Sequence, residues 1–454
     1  MTTTQPGAAR LNRATLLTGA SILGDEVRDL AIVDGVFADP TTIDRERARV
    51  VDASGLVALP GLVDLHTHLR QPGGEQSETI ATGVRAAAAG GYTCVFAMAN
   101  TTPVADTQAV VEQVHRLGLE AGLATVRPIG AVSVGLAGER LADMGMLAAS
   151  AARVTVFSDD GRCVADAELM RRALEHAASL GAVVAQHAQD PALTRGSVMH
   201  ESPLAAALGL TGWPSVAEAS IVARDAMLAE AAGARLHVCH VSTLETVEVV
   251  RVAKRRGIAI TAEVTPHHLL LTEELVRGYD ARFKVNPPLR AERDVRALRE
   301  GLADGTIDIV ATDHAPHTPE AKQTAFADAA FGMVGLETAL RVVQLAMVET
   351  GLLDWAGVAR VMSTTPAAIG REPGYDAPLQ PGSPAHLVLL DPAARGTVEH
   401  AGLHGRSTNS PFLGMELPGR VVHVWHAGRS TVANGEVASA QDHADDPAPA
   451  GVTA

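Results

Sequence analysis

Short apolar runs alternate with alanine- and leucine-rich stretches from about residue 60 to residue 370, and this alternation limits the folds open to the chain. The pattern is typical of repeated βα units, in which helices join parallel strands. Eight of the apolar runs have strand length, at residues 61–68, 92–100, 125–133, 153–160, 182–187, 235–240, 258–265 and 307–313. Eight such units predict an α/β fold of the (β/α)8 TIM-barrel type.

Helices are predicted in six further stretches, several of which begin after a Ser, Thr or Asp residue that suits a helix N-cap. These helices cover residues 76–89, 166–180, 215–231, 243–256, 293–304 and 336–349.

The two ends of the chain have a different pattern, with short apolar runs broken by hairpin signals such as Asp34-Gly35 and Ser54-Gly55. Neither end is long enough to form a good core alone, so we expect both to pair as one composite β-sandwich domain. The predicted boundaries are residues 1–59 and 373–436 for the two parts of this domain, 60–372 for the catalytic barrel and 437–454 for a disordered tail.

Composition excludes several classes of partner. The chain has 454 residues, a formal net charge of -15 and scattered basic residues, which disfavours binding to nucleic acid or to an anionic membrane. The uncharged stretch 86–105 contains Gly, Thr, Asn and Pro residues that do not suit a membrane span. The first ten residues lack the pattern of a secretory signal, so we expect a cytoplasmic protein.

Two histidines stand one residue apart at the end of the first predicted strand. His66 and His68 share one face, because alternate side chains of a strand point the same way. Imidazole suits zinc and related divalent ions, and the adjacent Arg70 offers a fork of donors for an anion. Taken alone, the two histidines are equally compatible with a half-buried structural pair.

Other predicted strands end in residues of the same type, on the face of a barrel where active sites form. His187, His240 and Asp313 each close a strand, and Asp159 and Asp160 close the fourth. A buried carboxylate without a partner costs on the order of several kcal/mol, so a divalent cation explains this concentration of polar groups. Strand alternation does not decide which of the two adjacent aspartates faces inward.

Seven motifs resemble those of dihydroorotases of the long bacterial type, in the amidohydrolase superfamily, and the likeness covers roughly residues 13–435. The motifs are DLHTHLRQPG (64–73), MANT (98–101), FSDDG (157–161), VTPHH (264–268), KVNPPLR (284–290), ATDHAPH (311–317) and FGMVGLE (331–337).

The resemblance implies two sets of site residues and a composite β domain built from both chain ends. The implied metal ligands are His66, His68, Asp160, His187, His240 and Asp313. The implied substrate-binding residues are Arg70, Asn100, Asn286 and His317. The resemblance also implies one or two Zn2+ ions per subunit.

The implied reaction is the reversible cyclisation of N-carbamoyl-L-aspartate to L-dihydroorotate in pyrimidine biosynthesis. Metal-activated water would attack the ring amide, and Asp313 would carry the proton to the ring nitrogen. An aspartate transcarbamoylase is an expected partner, and a homo-oligomer, most simply a dimer, is expected from base rates.

Many members of the superfamily bridge two metals with a carbamylated lysine on the fourth strand. The lysines of this chain, Lys254, Lys284 and Lys322, all lie away from that strand. Either Asp160 takes the bridging role or the site holds one metal. For His267, His268 and His314 we favour a structural role or support of the metal ligands, and for Arg290 we favour bracing of a loop over contact with the substrate.

Two alternatives stay open at this point. Another cyclic amidohydrolase, such as a dihydropyrimidinase, hydantoinase or allantoinase, would share the metal site but would not need Arg70 together with Asn100. An inactive, dihydroorotase-like subunit that supports a transcarbamoylase would have lost metal ligands, whereas all six candidates are present.

Overall fold

A computed structural model describes residues 14–438 of the chain. The predicted tail therefore lies outside the described residues, except for Val437 and Ala438. Within the described range, no helix has both the length and the apolar character needed to cross a membrane.

The N-terminal part consists of five strands, and tight turns join several of them. They are β1 (Thr15–Ile22), β2 (Glu26–Val33), β3 (Val36–Ala38), β4 (Arg49–Asp52) and β5 (Val57–Pro60). Asp34 and Gly35 join β2 to β3 with φ angles of 48° and 88°, so both residues of this turn have positive φ. This pair of left-handed residues is the form that a two-residue hairpin favours, which confirms the predicted turn.

The central part alternates strands and helices. Its first half contains β6 (Leu62–Thr67), α1 (Ile80–Ala89), β7 (Tyr92–Ala97), α2 (Gln108–Ala121), β8 (Thr125–Pro128), α3 (Met144–Ala149), β9 (Val156–Phe157), α4 (Ala167–Leu180), β10 (Val183–Gln186), β11 (Met199–His200), α5 (Pro203–Leu208) and β12 (Gly212–Trp213). Its second half contains α6 (Val216–Ala232), β13 (Arg235–Val238), α7 (Leu244–Arg255), β14 (Ile260–Val264), α8 (Pro266–Leu270), α9 (Glu292–Ala303), β15 (Ile309–Val310), α10 (Pro319–Lys322), α11 (Ala339–Val343), α12 (Trp355–Ala359) and α13 (Thr365–Gly370).

All eight predicted strands of the central part are present, as parallel neighbours. One sheet pairs β6, β7 and β8, and a second has the order β15-β14-β13-β10-β9. Parallel bridges between Gly130 and Phe157 and between Thr67 and His314 link the two sheets. Backbone pairing thus passes through all eight strands and returns to the first, so their carboxyl ends face the same side.

The two chain ends share one sheet of nine strands. The last four strands are β16 (Leu387–Thr397), β17 (Glu416–His426), β18 (Arg429–Ala433) and β19 (Glu436–Val437). β16 pairs antiparallel with β5, so Leu387 lies opposite Pro60. A cluster of buried side chains from both ends, including Leu17, Leu387 and Trp425, packs against this sheet. The expected pairing of the two ends is therefore present.

Candidate metal centre and active site

The six residues predicted as metal ligands lie at the carboxyl ends of the parallel strands. His66 is within β6 and His68 follows it, while His187, His240, Asp160 and Asp313 follow β10, β13, β9 and β15. All six side chains are buried. The structure therefore brings together residues that are up to 247 positions apart in the chain, from His66 to Asp313.

Asp160 lies at the centre of this group and uses its two oxygens differently. Its Oδ2 atom lies 3.4 Å from Nε2 of His66 and 3.4 Å from Nε2 of His68. Its Oδ1 atom lies 3.1 Å from Nδ1 of His187 and 3.3 Å from Nε2 of His240. One carboxylate thus contacts two pairs of histidines, one pair with each oxygen.

The second carboxylate of the group, Asp313, borders the first histidine pair. Its Oδ1 atom lies 3.0 Å from Nε2 of His68 and 3.5 Å from Nε2 of His66. Burial favours the neutral form of Asp313, but the imidazoles of His66 and His68 outweigh burial and hold its pKa below the ordinary value. In the same way, burial would raise the pKa of Asp160, but contacts with His66, His187 and His240 hold it well below its usual range.

Among the described residues, three sets of potential ligand atoms lie close enough to hold a cation, and two of these sets share Asp160. In one set, atoms of His66, His68 and Asp160 lie within 4.8 Å of one another, and in the other set the atoms belong to Asp160, His187 and His240. Nε2 of His66 is buried and has no hydrogen-bond partner among the described residues. Buried imidazole and carboxylate groups with an unpaired nitrogen are the donor set that zinc and similar ions bind.

The two adjacent aspartates have separate surroundings. Asp159 accepts hydrogen bonds from the backbone N–H groups of Val132 and Ser133, at 2.8 and 2.9 Å, and from the hydroxyl of Ser133. Asp159 therefore binds the neighbouring loop, while Asp160 contacts the histidines.

Glu263, on β14, orients the first histidine and was not predicted. Its Oε1 atom lies 2.6 Å from Nδ1 of His66, and its Oε2 atom lies 3.0 Å from Nε2 of His237. Burial would raise the pKa of Glu263, but His66 and His237 lower it to about 2, so the group is a carboxylate. A carboxylate accepts the Nδ1 proton of His66 and leaves Nε2 as the nitrogen that faces Asp160. The sequence signal was a lone acidic residue in a buried strand.

Of the four predicted substrate-binding residues, Asn100 contacts the first histidine pair, and Arg70 and His317 lie near each other. Nδ1 of His68 donates to Oδ1 of Asn100 at 2.9 Å. Nε of Arg70 donates to the carbonyl of Pro316 at 3.1 Å, and its Nη2 atom lies 3.5 Å from Nε2 of His317. Burial lowers the pKa of Arg70 to about 10, so the guanidinium stays charged at neutral pH.

Asn286 and His317 make further contacts that set their orientation. Nδ2 of Asn286 donates to Oε1 of Gln189 at 3.1 Å, and Nε2 of His317 donates to the carbonyl of Phe331 at 2.7 Å. Burial and the nearby charge of Arg70 lower the pKa of His317 to about 3, which makes its imidazole neutral.

Three predicted site residues have left-handed backbone conformations. The φ angles are 60° at Arg70, 34° at His240 and 47° at Asp313. For residues other than glycine, such conformations cost of the order of 1–3 kcal/mol each and cluster at functional sites. These three side chains are thus held in place at the expense of local stability.

The remaining motif residues, for which a structural role was favoured, contact neighbouring segments of the backbone and side chains. Nε2 of His268 lies 3.2 Å from the carbonyl of Pro287, and Nδ1 of His314 accepts from the backbone N–H of Gly335. Arg290 donates to Ser242 Oγ and to the carbonyl of Trp213, so it joins the segment after β13 to strand β12. His267 is buried beside His268, with ring centroids 4.6 Å apart.

Comparison with known proteins identifies the family. Residues 55–246 match a family model described as dihydro-orotase-like. A dihydroorotase of Streptomyces coelicolor is 61% identical over 425 residues, which cover 93% of this chain and 99% of the relative. The chain belongs to the dihydroorotase family. Another member, the dihydroorotase of Mycobacterium tuberculosis, is 54% identical over 427 residues, again covering 93% of this chain and 99% of the relative. Membership of this family makes the protein a cyclic amide hydrolase.

Solved structures of other cyclic amidohydrolases share the fold. An L-hydantoinase from Arthrobacter aurescens aligns with a TM-score of 0.82 at 25% identity, covering 94% of this chain and 97% of that structure. A dihydropyrimidinase from Brevibacillus agri aligns with a TM-score of 0.81 at 24% identity, covering 93% and 96% of the two chains. This chain and these enzymes therefore have a common α/β architecture.

Proposed function

We propose that this dihydroorotase family member catalyses the reversible ring closure of N-carbamoyl-L-aspartate to L-dihydroorotate and water, in de novo pyrimidine biosynthesis. The observation that carries the proposal is the position of the Arg70 guanidinium, which lies close enough to the carboxylates of Asp313 and Asp160 for their charges to interact. Such an arrangement suits a cyclic amide that also bears a free carboxylate. The high identity to dihydroorotases over nearly the whole chain supports the same substrate.

The cofactor that suits this site is Zn2+, as one or two ions per subunit. His66, His68 and Asp160 would hold one ion, Asp160, His187 and His240 would hold another, and Asp313 adjoins the first set. When bound, zinc makes water nucleophilic near neutral pH and polarises the amide carbonyl under attack. In a two-ion site, His187 and His240 would act as ligands together with the second oxygen of Asp160.

Asp160 is the residue that would bridge two ions, because its two oxygens face different histidine pairs. The lysines have partners elsewhere. Nζ of Lys254 lies 2.7 Å from Asp308, Lys284 donates to the carbonyl of Ala327, and Lys322 donates to the carbonyl of Lys284. A carboxylate bridge therefore fits this chain where many relatives use lysine.

Asp313 is the proposed proton carrier. Its carboxylate lies beside Nε2 of His68 and near Nε2 of His66. In hydrolysis it takes the proton that the attacking water releases and gives this proton to the departing ring nitrogen. In ring closure it removes the proton from the carbamoyl nitrogen and returns it to the leaving oxygen. The same residue serves both directions, because both pass through one transition state.

The free carboxylate of the substrate needs fixed donors. Arg70 offers the guanidinium nitrogens that Pro316 does not occupy, and Asn100 offers its amino group because its Oδ1 accepts from His68. His317 lies near Arg70, but its Nε2 proton is donated to the carbonyl of Phe331, so its ring would contact the substrate without donating to the carboxylate. Guanidinium and amide donors together bind a carboxylate with more direction than a point charge does. These groups are expected to select an acidic ring over a neutral one.

The decisive experiment is a substrate panel with the purified, zinc-supplied chain. We expect conversion of N-carbamoyl-L-aspartate and of L-dihydroorotate, monitored by ring absorbance in both directions. Dihydrouracil, hydantoin and allantoin should react at least about 100-fold more slowly, since they lack the carboxylate that charged donors bind. Faster turnover of a neutral ring would instead support a dihydropyrimidinase, hydantoinase or allantoinase. No turnover with zinc bound would support the scaffold alternative.

We also infer the architecture around this site. The ring of eight paired strands and their helices support a (β/α)8 barrel over residues 60–372. The nine-stranded sheet, whose buried cluster includes side chains from β1, β2, β16 and β17, supports a β-sandwich built from the described part of residues 1–59, which begins at residue 14, and from residues 373–436. A homo-oligomer, an aspartate transcarbamoylase partner and a cytoplasmic location stay predictions, and light scattering with and without the transcarbamoylase tests the first two.

A further inference from the structure

We propose that Gln189 is a positioning residue that fixes two predicted site residues at once, His187 on the metal side and Asn286 on the substrate side. Oε1 of Gln189 lies 2.8 Å from Nε2 of His187 and 3.1 Å from Nδ2 of Asn286. One amide oxygen thus joins the two parts of the site. The part of this inference that concerns Asn286 rests on the proposed function.

The orientation of the Gln189 amide follows from the hydrogen bonds of its neighbour Thr194. The hydroxyl of Thr194 lies 2.8 Å from the backbone carbonyl of Asp190, so it donates its proton there. The Thr194 oxygen then accepts from Nε2 of Gln189, at 2.9 Å. With its amino group engaged by Thr194, Gln189 presents its oxygen to His187 and Asn286.

The first consequence concerns the proton on His187. An amide oxygen only accepts, so Nε2 of His187 carries the proton and a neutral ring keeps its lone pair on Nδ1. This Nδ1 atom lies 3.1 Å from Oδ1 of Asp160 and 2.8 Å from Nε2 of His240. Gln189 therefore turns the lone pair of His187 toward the proposed cation position, as Glu263 does for His66.

The second consequence concerns the group that Asn286 offers to a ligand. Because Nδ2 of Asn286 donates to Gln189, its Oδ1 atom faces away from Gln189. That atom is buried and lacks a hydrogen-bond partner within the described part of the chain. An unpaired buried carbonyl oxygen is costly unless a ligand satisfies it. We therefore assign Asn286 as an acceptor for an N–H group of the ring amide or of the open carbamoyl group.

The contacts with His187 and Asn286 make Gln189 a link between metal affinity and substrate recognition. If its oxygen is removed, the His187 ring can adopt the other tautomer and the Asn286 amide can rotate. Hydrogen bonds of this kind to a ligating histidine typically change metal affinity by about 10–100-fold. Losing the orientation of one buried acceptor typically costs about 1–3 kcal/mol, which is of the order of 10-fold to 100-fold in substrate binding.

The first measurement is zinc affinity of the metal-free protein, by competition with a chromophoric chelator. Gln189→Leu removes the acceptor at similar volume and should weaken zinc binding by about 10–100-fold. Gln189→Glu keeps an oxygen that accepts from both partners and should stay within a few-fold of the wild type. Gln108→Leu is the matched control, because Gln108 lies on α2 and contacts Glu112. Wild-type zinc affinity in Gln189→Leu would overturn the proposal.

The second measurement is KM for N-carbamoyl-L-aspartate at saturating zinc. Gln189→Leu should raise KM by about 10-fold or more, while Gln189→Glu should restore it. Weakened zinc binding without a change in KM would refute the link to Asn286. If the wild type turned over none of the tested rings, the proposed function would fail, whereas the zinc competition would still test the part that concerns His187. Should Gln189→Leu not fold, Thr194→Val provides a second test, because it removes the acceptor for the amino group of Gln189. Unchanged zinc affinity and KM in that variant would also count against the proposal.

Discussion

Nδ1 of His66 and Oε1 of Glu263 lie 2.6 Å apart, in a contact that joins strand β6 to strand β14. Oε1 of the same carboxylate also accepts from the backbone N–H of His240, at 3.1 Å. One buried acidic side chain thus orients one proposed ligand and holds the backbone of a second. This relationship explains why a carboxylate is buried within a strand of the core.

We expect Glu263→Gln to weaken zinc binding by about 10–100-fold, because a neutral amide is a poorer acceptor for the Nδ1 proton of His66. Chelator competition on the metal-free protein measures this change. Glu139→Gln is a suitable control, since Glu139 is exposed. Unchanged affinity in Glu263→Gln would show that the orientation of His66 does not depend on the charge of its partner.

Arg70→Ala should raise KM for N-carbamoyl-L-aspartate by about 100-fold, which corresponds to the loss of about 3 kcal/mol from charge-assisted hydrogen bonds. Residual turnover of a neutral cyclic amide should change far less. Arg70→Lys keeps the charge without the planar fork and should recover only part of the affinity. Equal losses on the acidic and the neutral ring would remove Arg70 from the carboxylate-binding group.

Asp313→Asn should separate metal binding from catalysis. The amide keeps an oxygen near His68 but cannot take up a proton, so zinc content should stay near the wild-type level while kcat falls by about 100-fold or more. Metal analysis and steady-state kinetics on one preparation measure both quantities. A variant with retained turnover would exclude Asp313 as the proton carrier.

His426 should make stability depend on pH in mildly acidic solution. Burial, with a smaller contribution from Arg429, lowers the pKa of His426 to about 4, whereas an unfolded histidine has a pKa of about 6.5. The unfolded chain therefore binds protons first as pH falls. The stabilising contribution is complete above about pH 6.5 and is lost as pH approaches 4. Between pH 6.5 and 5 this loss amounts to about 2 kcal/mol of unfolding free energy.

Urea unfolding of the zinc-free protein at the two pH values measures the effect. His426→Gln keeps a polar partner for the Thr125 hydroxyl, which lies 3.0 Å from Nε2 of His426, but cannot titrate. This variant should therefore lose about 2 kcal/mol less stability than the wild type over that pH interval. The same loss in both proteins would contradict a buried neutral His426. His200, whose pKa burial and Arg290 also lower to about 4, contributes in both and cancels in the comparison.

The strands of the central part could be predicted because each is a short apolar run, but their lengths could not. The fourth strand was expected over residues 153–160, and its ladder spans only Val156–Phe157. The remainder includes Asp159 and Asp160, whose side chains bind a loop and the histidines instead of continuing the sheet. The predicted strand thus extends beyond the backbone ladder, into residues whose side chains contact a loop and the histidines.

Helix α2 was not predicted, although it spans 14 residues, Gln108–Ala121. Gly118 lies within it and weakens the helical signal, since glycine disfavours helix interiors by about 1 kcal/mol relative to alanine. The structure gives a packing reason for this residue. A Cβ atom at Gly118 would lie 2.5 Å from Cβ of Val126, so glycine lets the helix approach β8 closely. Such a contact is not visible in the sequence.

The candidate ligands could be predicted because several strands end in histidine or aspartate, and the predicted barrel places those ends together. Glu263 and Gln189 could not, because their significance arises only from contacts with His66, His187 and Asn286. The choice between Asp159 and Asp160 also needed the structure. Alternation indicates that adjacent side chains point in different directions, but it does not indicate which of the two faces the histidines.

The most direct test of the account is turnover of N-carbamoyl-L-aspartate by the metal-free protein during titration with zinc. We predict no activity without metal, and a rise that saturates at one or two equivalents of zinc per chain, with L-dihydroorotate as the product. The same titration of an Asp160→Ala variant should leave the protein inactive, because this carboxylate contacts both histidine pairs. Full activity of the metal-free wild type, or full activity of Asp160→Ala, would contradict the proposal that these side chains act through a shared metal centre.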